Sequence, residues 1–215
     1  MIKYCTHKSD AKAPTNLKYI LTFPSGYSKE EKLPLIIFLH GAGERGTDIE
    51  KIKIYCIPKM FTENPDYNGE RVVTLSPLCP ANTTWIDYKN ELYTLFCEVI
   101  DTYNIDKESV SICGISMGGF GTWELAMTYP ALFNKIAPIC GGGMNWRAWA
   151  LRDKKIRVYH GKRDDVVPIS QSEAMVNSAK LNGADISFTV FDDLAHNCWD
   201  RAFCETDLIH WLANK

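Results

Sequence analysis

Ser116 sits in Gly114-Ile115-Ser116-Met117-Gly118-Gly119, directly after the β-branched run Val110-Ser111-Ile112 and before apolar residues at helical spacing, Trp123, Ala126 and Met127. A strand that turns sharply into a helix strains the backbone of the residue at the turn, and flanking glycines leave room for that strain. The hydroxyl then stands at the carboxyl edge of a sheet. The Met117 N–H points to the same spot from a helix start, where donors are unpaired and the dipole favours negative charge. A nucleophile beside half of an oxyanion hole is equipped for acyl transfer.

A serine hydroxyl attacks nothing until a base takes its proton, and that base needs an acceptor to hold its tautomer. Each partner should leave the end of a later strand. Asp164 lies four residues beyond the strand expected at 155–160, and His196 lies five residues beyond the alternating run 186–191. Asp165 competes with Asp164, but His160-Gly161-Lys162-Arg163-Asp164 lets Asp164 leave the strand turn while Asp165 caps the coming helix. Asp192 and Asp193 share the loop of His196 and read as turn formers. Among the other histidines, His7 and His210 read as surface residues, and His40 and His160 as donors that fix loops.

The second oxyanion donor is expected after the continuous apolar run 33–39, which ends at His40-Gly41-Ala42-Gly43-Glu44-Arg45-Gly46. The Ala42 N–H is the first choice, with Gly43 as the neighbour that could replace it. Gly41, Gly43 and Gly46 match the spacing of a dinucleotide loop, but no periodic helix begins at Gly46 and the Lys-Ser/Thr of a phosphate loop is missing. Trp85 follows Pro77-Leu78-Cys79-Pro80; it serves either to line a substrate crevice or to clamp its own loop.

The elements that must position these residues alternate. Strands are expected at 17–23 (early, at a sheet edge), 33–39, 71–76, 110–115, 135–140, 155–160 and 186–191. Helices are expected at 90–103, 120–129, 168–181 and 201–212, with a short one at 49–55 and weak periodicity through residue 69. Continuous apolar strands between amphipathic helices define a mostly parallel sheet with helices on both faces, three layers in all. The segment 144–153, with Trp146 and Trp149, is too short for a cap domain.

The chain has 215 residues, which suits one α/β domain spanning 1–215. Its 24 Lys and Arg against 26 Asp and Glu, interspersed, offer no basic stripe for nucleic acid. The N-terminal residues lack a signal-peptide core and no window has the apolar length of a membrane span, so a soluble cytoplasmic protein is expected. The eight cysteines form no Cys-x-x-Cys pair and no zinc-ligand spacing. Cys97, Cys113 and Cys140 read as small buried hydrophobes, while Cys198 and Cys204 fall near the candidate site.

Together the four motifs around Ala42, Ser116, Asp164 and His196 resemble the α/β-hydrolase superfamily, and more narrowly its compact prolyl-oligopeptidase-like and dienelactone-hydrolase-like esterases, relatives of feruloyl and acetyl-xylan esterases. The resemblance runs from Leu17 onward. It implies an α/β-hydrolase fold without a cap, Ser116 as nucleophile, His196 as base, Asp164 as acid, and Met117 with Ala42 as oxyanion donors. It also implies that Trp85 and Gly43 contact substrate, and that neither metal nor cofactor takes part. The expected activity is hydrolysis of short-chain or carbohydrate-linked (acetyl or feruloyl) esters through an acyl-enzyme. The alternatives are a serine peptidase of short peptides and a non-catalytic binding protein on the same scaffold.

Overall fold

Seven residues of the apolar run form strand β3 (Leu33–Leu39), and its side chains divide between two buried clusters. Leu35, Ile37 and Leu39 enter one, while Ile36 and Phe38 enter the other. Successive side chains of a strand point to opposite faces, so both faces of this sheet are covered. The computed structural model describes residues 1–8 and 16–214. Besides β3 it contains β1 (Ile2–Lys8), β2 (Asn16–Thr22), β4 (Val73–Pro77), β5 (Ile105–Ile115), β6 (Lys135–Ile139), β7 (Lys155–Gly161) and β8 (Asp185–Phe191). These strands make one sheet in the order β1-β2-β4-β3-β5-β6-β7-β8, antiparallel across β1, β2 and β4 and parallel from β4 to β8.

The helices are α1 (Cys56–Glu63), α2 (Lys89–Thr102), α3 (Met117–Thr128), α4 (Ser170–Leu181), α5 (Trp199–Cys204) and α6 (Leu208–Ala213). Leu92, Leu95 and Phe96 of α2, Trp123 and Leu125 of α3, and Met175 and Ala179 of α4 join the first cluster. Ile57 and Phe61 of α1, Phe203 of α5, and Leu208 and Leu212 of α6 join the second. The expected three-layer arrangement is therefore present, with the chain reversing its direction of travel across the sheet between β4 and β5. Loops at the carboxyl ends of β3 and β5 flank such a switch point, where open α/β sheets place their ligands. β6 and β7 are joined through a short 3-10 helix (Asn145–Leu151) rather than a cap, and Trp146 upon it is 72% exposed.

Several expectations are corrected. Residues 17–23 do not run along the edge: β1 pairs outside β2, from Ile2↔Thr22 to Lys8↔Asn16. β1 escaped detection because both of its faces carry polar residues and the pairing is with the next strand, not with a core. The weakly periodic stretch holds α1, hidden by Pro58, which sits in the first turn where its missing N–H costs nothing; residues 49–54 before it form a 3-10 helix. The single terminal helix is two. The Thr206 hydroxyl donates to the Ala202 carbonyl and accepts from the Leu208 N–H, ending one helix and starting the next. His7 is not a surface residue: it is 5% exposed, with Nδ1 2.6 Å from Glu98 of α2. Cys97 is only half-buried. Among the described residues no helix is long and apolar enough to cross a membrane.

Candidate active site

Between β5 and α3 the backbone makes its sharpest turn at Ser116, with φ 52 and ψ −116. A non-glycine residue at positive φ is held there only by its surroundings. The Ser116 N–H donates to the Ile139 carbonyl of β6 at 2.9 Å. On either side there is no space for a side chain: a Cβ on Gly114 would lie 2.6 Å from the Gly118 carbonyl carbon, and one on Gly118 would overlap the Leu39 carbonyl. Met117 is the first residue of α3, so its N–H has no partner within the helix. Ala42 likewise opens a 3-10 turn (Ala42–Glu44), which leaves its N–H without a helical partner.

Asp164 and His196 meet Ser116 from β7 and β8. The Asp164 carboxyl is fully buried, and its Oδ1 accepts from the N–H groups of Val166 at 2.9 Å and Val167 at 2.8 Å. Its Oδ2 lies 2.7 Å from His196 Nδ1, and His196 Nε2 lies 2.8 Å from Ser116 Oγ. A carboxylate can only accept, so Nδ1 carries the imidazole hydrogen and Nε2 is free to accept from the serine hydroxyl. Burial pushes the Asp164 carboxyl up, but the hydrogen bonds from His196 and from the Val167 and Val166 N–H groups outweigh it and hold the group below the usual carboxylate range. Asp165 is exposed, as are Asp192 and Asp193, which pair with Lys162 and Arg201 respectively. The structure thus brings together all three side chains singled out from the sequence.

The loop after β3 is tied down by its neighbours. The His40 Nδ1–H donates to the Gly41 carbonyl at 2.6 Å, and His40 Nε2 accepts from the Cys79 N–H at 3.0 Å. Arg45 donates to the carbonyls of Ala42 and Thr83, and Trp85 Nε1 donates to the His40 carbonyl at 2.9 Å. The Trp85 indole, 1% exposed, is thereby tied to the loop after β3 and not to its own loop. It also backs a cavity of about 360 Å³ beside Ser116, whose other walls are Thr84, Ile86, Met117 and Phe120. None of these carries a charge. Gly43 is exposed on the other loop.

Sequence reasoning missed Ile86 and Phe120 as cavity walls. It also missed Trp199, whose indole stands edge-on to His196 at 5.6 Å. The spacing of Trp199, three residues after the histidine and opening a helix, was the available signal. Among the described residues, the His, Cys, Asp and Glu donor atoms compact enough for a metal ion are those of Cys140, Asp164 and His196, within 4.8 Å of one another. Two of them already share the Nδ1 hydrogen, and burial pushes the Cys140 thiol well up, so it keeps its proton. That set is an acid–histidine pair with a buried thiol behind it.

A sheet of this order, with a strained serine after β5, an acid after β7 and a histidine after β8, defines an α/β-hydrolase of the serine-esterase type. Solved structures agree in fold. A thermostable esterase superposes with a TM-score of 0.83 at 28% identity, covering 97% of this chain and 62% of its own. A ferulic acid esterase gives 0.77 at 17% identity, with 99% of this chain and 98% of its own covered. The feruloyl esterase module from Clostridium thermocellum, solved with sinapinate, gives 0.72 at 16%, covering 91% and 82%. The chain thus spans about three-fifths of the thermostable esterase. No curated protein matches it in sequence. The sequence profile of the Esterase family matches residues 11–174, well over half of the chain, and the protein belongs to that family. It is by family a carboxylic-ester hydrolase.

Proposed function

We propose that the protein hydrolyses small-molecule or carbohydrate-linked esters of short or aromatic acids through an acyl-enzyme on Ser116. The observation that carries this reading is the unbroken line Asp164–His196–Ser116, at 2.7 and 2.8 Å. His196 Nε2 takes the hydroxyl proton as Ser116 Oγ adds to the ester carbonyl, and Asp164 holds the imidazolium that forms. The Met117 and Ala42 N–H groups receive the negative charge on the former carbonyl oxygen, a contribution of about 3 kcal/mol per donor in a site closed to water. His196 then passes its proton to the leaving alkoxide oxygen, and the tetrahedral adduct collapses to the acyl-enzyme. A water molecule, deprotonated by the same nitrogen, releases the acid and restores Ser116.

The cavity walled by Ile86, Met117 and Phe120 suits the apolar part of the ester. It is open at the side of Ile86, which is 40% exposed, so a bulky alcohol can remain outside. The fold shared with feruloyl and ferulic acid esterases is consistent with an acyl group of that kind. We take residues 1–215 as one catalytic domain, supported by the single sheet running from β1 to β8.

The test is Ser116→Ala assayed on p-nitrophenyl acetate and butyrate. A fall of about a thousandfold or more in kcat is expected for a lost nucleophile, and activity within about tenfold of the parent would refute the assignment. Fluorophosphonate labelling, present in the parent and lost in the variant, separates a catalyst from a binding protein on the same scaffold. Rates on ester and amide probes sharing one acyl group separate an esterase from a peptidase.

A further inference from the structure

Asp164 faces two histidines, and the chemistry above uses only one. His160, on β7, is 0% exposed. Its Nε2 lies 3.1 Å from Asp164 Oδ2 and 2.9 Å from the Val167 carbonyl. Its Nδ1 lies 2.8 Å from Ser172 Oγ of α4, and that oxygen is in turn 2.8 Å from the Gly141 carbonyl. Everything facing Nε2 is an acceptor. Nε2 therefore carries a hydrogen, which goes to the Val167 carbonyl, with Asp164 Oδ2 3.1 Å from the same nitrogen.

The Asp164 carboxylate accepts three hydrogen bonds, two on Oδ1 and one on Oδ2, and the His160 Nε2–H dipole stands 3.1 Å from Oδ2. The two on Oδ1 come from its own turn and pin one oxygen. They leave the other free to swing out of the plane of the His196 imidazole. His160, tied to the Val167 carbonyl, stands against that second oxygen at 3.1 Å. Its benefit is orientation and not a more basic acid.

We propose that His160 is a positioning residue for Asp164, holding the turn of the acid through the Val167 carbonyl and standing against Oδ2, with Ser172 behind it. The line of polar contacts runs from Ser116 Oγ through His196, Asp164, His160 and Ser172 to the Gly141 carbonyl. It returns to Ser116 through residues 139–141, because the Ser116 N–H donates to the Ile139 carbonyl. The direction of the acid is thereby referred to the strand next to the serine turn, and loops from three strands are held in one register. The cross-links enter as one buried polar network, in which every member must be satisfied for the network to be stable.

This inference rests on the esterase reading, and the experiment separates the two. His160→Leu removes the donor at nearly constant volume, while His160→Gln keeps an N–H near the place of Nε2. Ser172→Ala loosens His160 from the other side by a small deletion. Melting temperature checks the fold, steady-state kinetics on p-nitrophenyl acetate give kcat and KM, and the downfield proton resonance of His196 Nδ1–H reports on its bond to Asp164. Losing the bond to Val167 together with the N–H dipole beside the carboxylate corresponds to a fall in kcat of about tenfold to hundredfold for His160→Leu, with KM within about twofold. The Gln variant should stay within about threefold of the parent, and Ser172→Ala should fall by about threefold to tenfold on the same scale. The downfield resonance should shift or broaden in the Leu variant and persist in the Gln variant.

The positioning role is overturned if kcat of a folded His160→Leu stays within about twofold of the parent, if Gln is as impaired as Leu, or if the resonance does not move. Should the Leu variant not fold, an unchanged kcat in Ser172→Ala overturns it equally. An active Ser116→Ala would sink the esterase reading itself. An inactive Ser116→Ala beside a fully active His160→Leu sinks only the role of His160.

Discussion

Replacing His40 by glutamine should remove a measurable part of the protein's sensitivity to acid. His40 is 2% exposed, donating from Nδ1 to the Gly41 carbonyl and accepting at Nε2 from the Cys79 N–H. A second proton would have to go on Nε2, face to face with that N–H. Burial pulls the imidazole down to about 4, against about 6.5 in an unfolded chain. As pH falls, the unfolded chain therefore binds the proton first. The contribution of His40 to stability is complete above about pH 6.5 and is lost as pH drops through about 4. At pH 5 the unfolded imidazole is almost fully protonated and the folded one about one-tenth so, which makes the loss about 2 kcal/mol. Glutamine offers an N–H and a carbonyl in the same place but does not titrate. Urea unfolding of parent and His40→Gln at pH 7.5, 6 and 5, both carrying Glu44→Gln because Glu44 lies 3.7 Å from His40 Nδ1, gives the difference in stability at each pH, in which the groups that do not touch His40, Asp164 included, cancel. The difference should change by about 2 kcal/mol in favour of the variant between pH 7.5 and 5. A difference that stays constant within about 0.5 kcal/mol would refute the reasoning, since a buried, neutral His40 has no way to avoid that linkage.

Two further outcomes are expected. Asp164→Asn should lower kcat by about a thousandfold or more with little change in melting temperature. Asp165→Asn should leave kcat within about twofold, and equal losses in both variants would mean that the acid is misassigned. Phe120→Ala deepens the cavity beside Ser116. It should raise kcat/KM for p-nitrophenyl hexanoate relative to acetate by about tenfold, the scale of a few methylene contacts. An unchanged ratio would exclude that cavity as the acyl site.

Much of the arrangement was legible locally. β3 is buried on both faces and reads as a continuous apolar run, β5 from Val110 and β7 read as shorter β-prone runs, and Gly114 and Gly118 mark a turn that no other residue fits. Ser116, Asp164 and His196 each follow such a run, so the order of strands already implied a common edge. Where the signal lay in a partner, it was not legible. β1 is a strand only because β2 pairs with it, and His7 is buried only because α2 brings Glu98 over it. Pro58 looked like a breaker until its place in the first turn of α1 was known, and the break at Thr206 depends on one hydroxyl bridging two helices.

What residue types and their spacing settle is chemistry in principle: a hydroxyl, an imidazole and a carboxyl just beyond the ends of strands. Distances of 2.7 and 2.8 Å between them, the second histidine on Asp164 and the clamp of Trp85 on His40 belong to the folded molecule alone. Apolar periodicity and glycine are properties of a few neighbouring residues and can be read along the chain. A hydrogen bond between His160 and Ser172, or between Ser116 and a histidine 80 residues further on, exists only when strand twist and helix packing have closed the space between them.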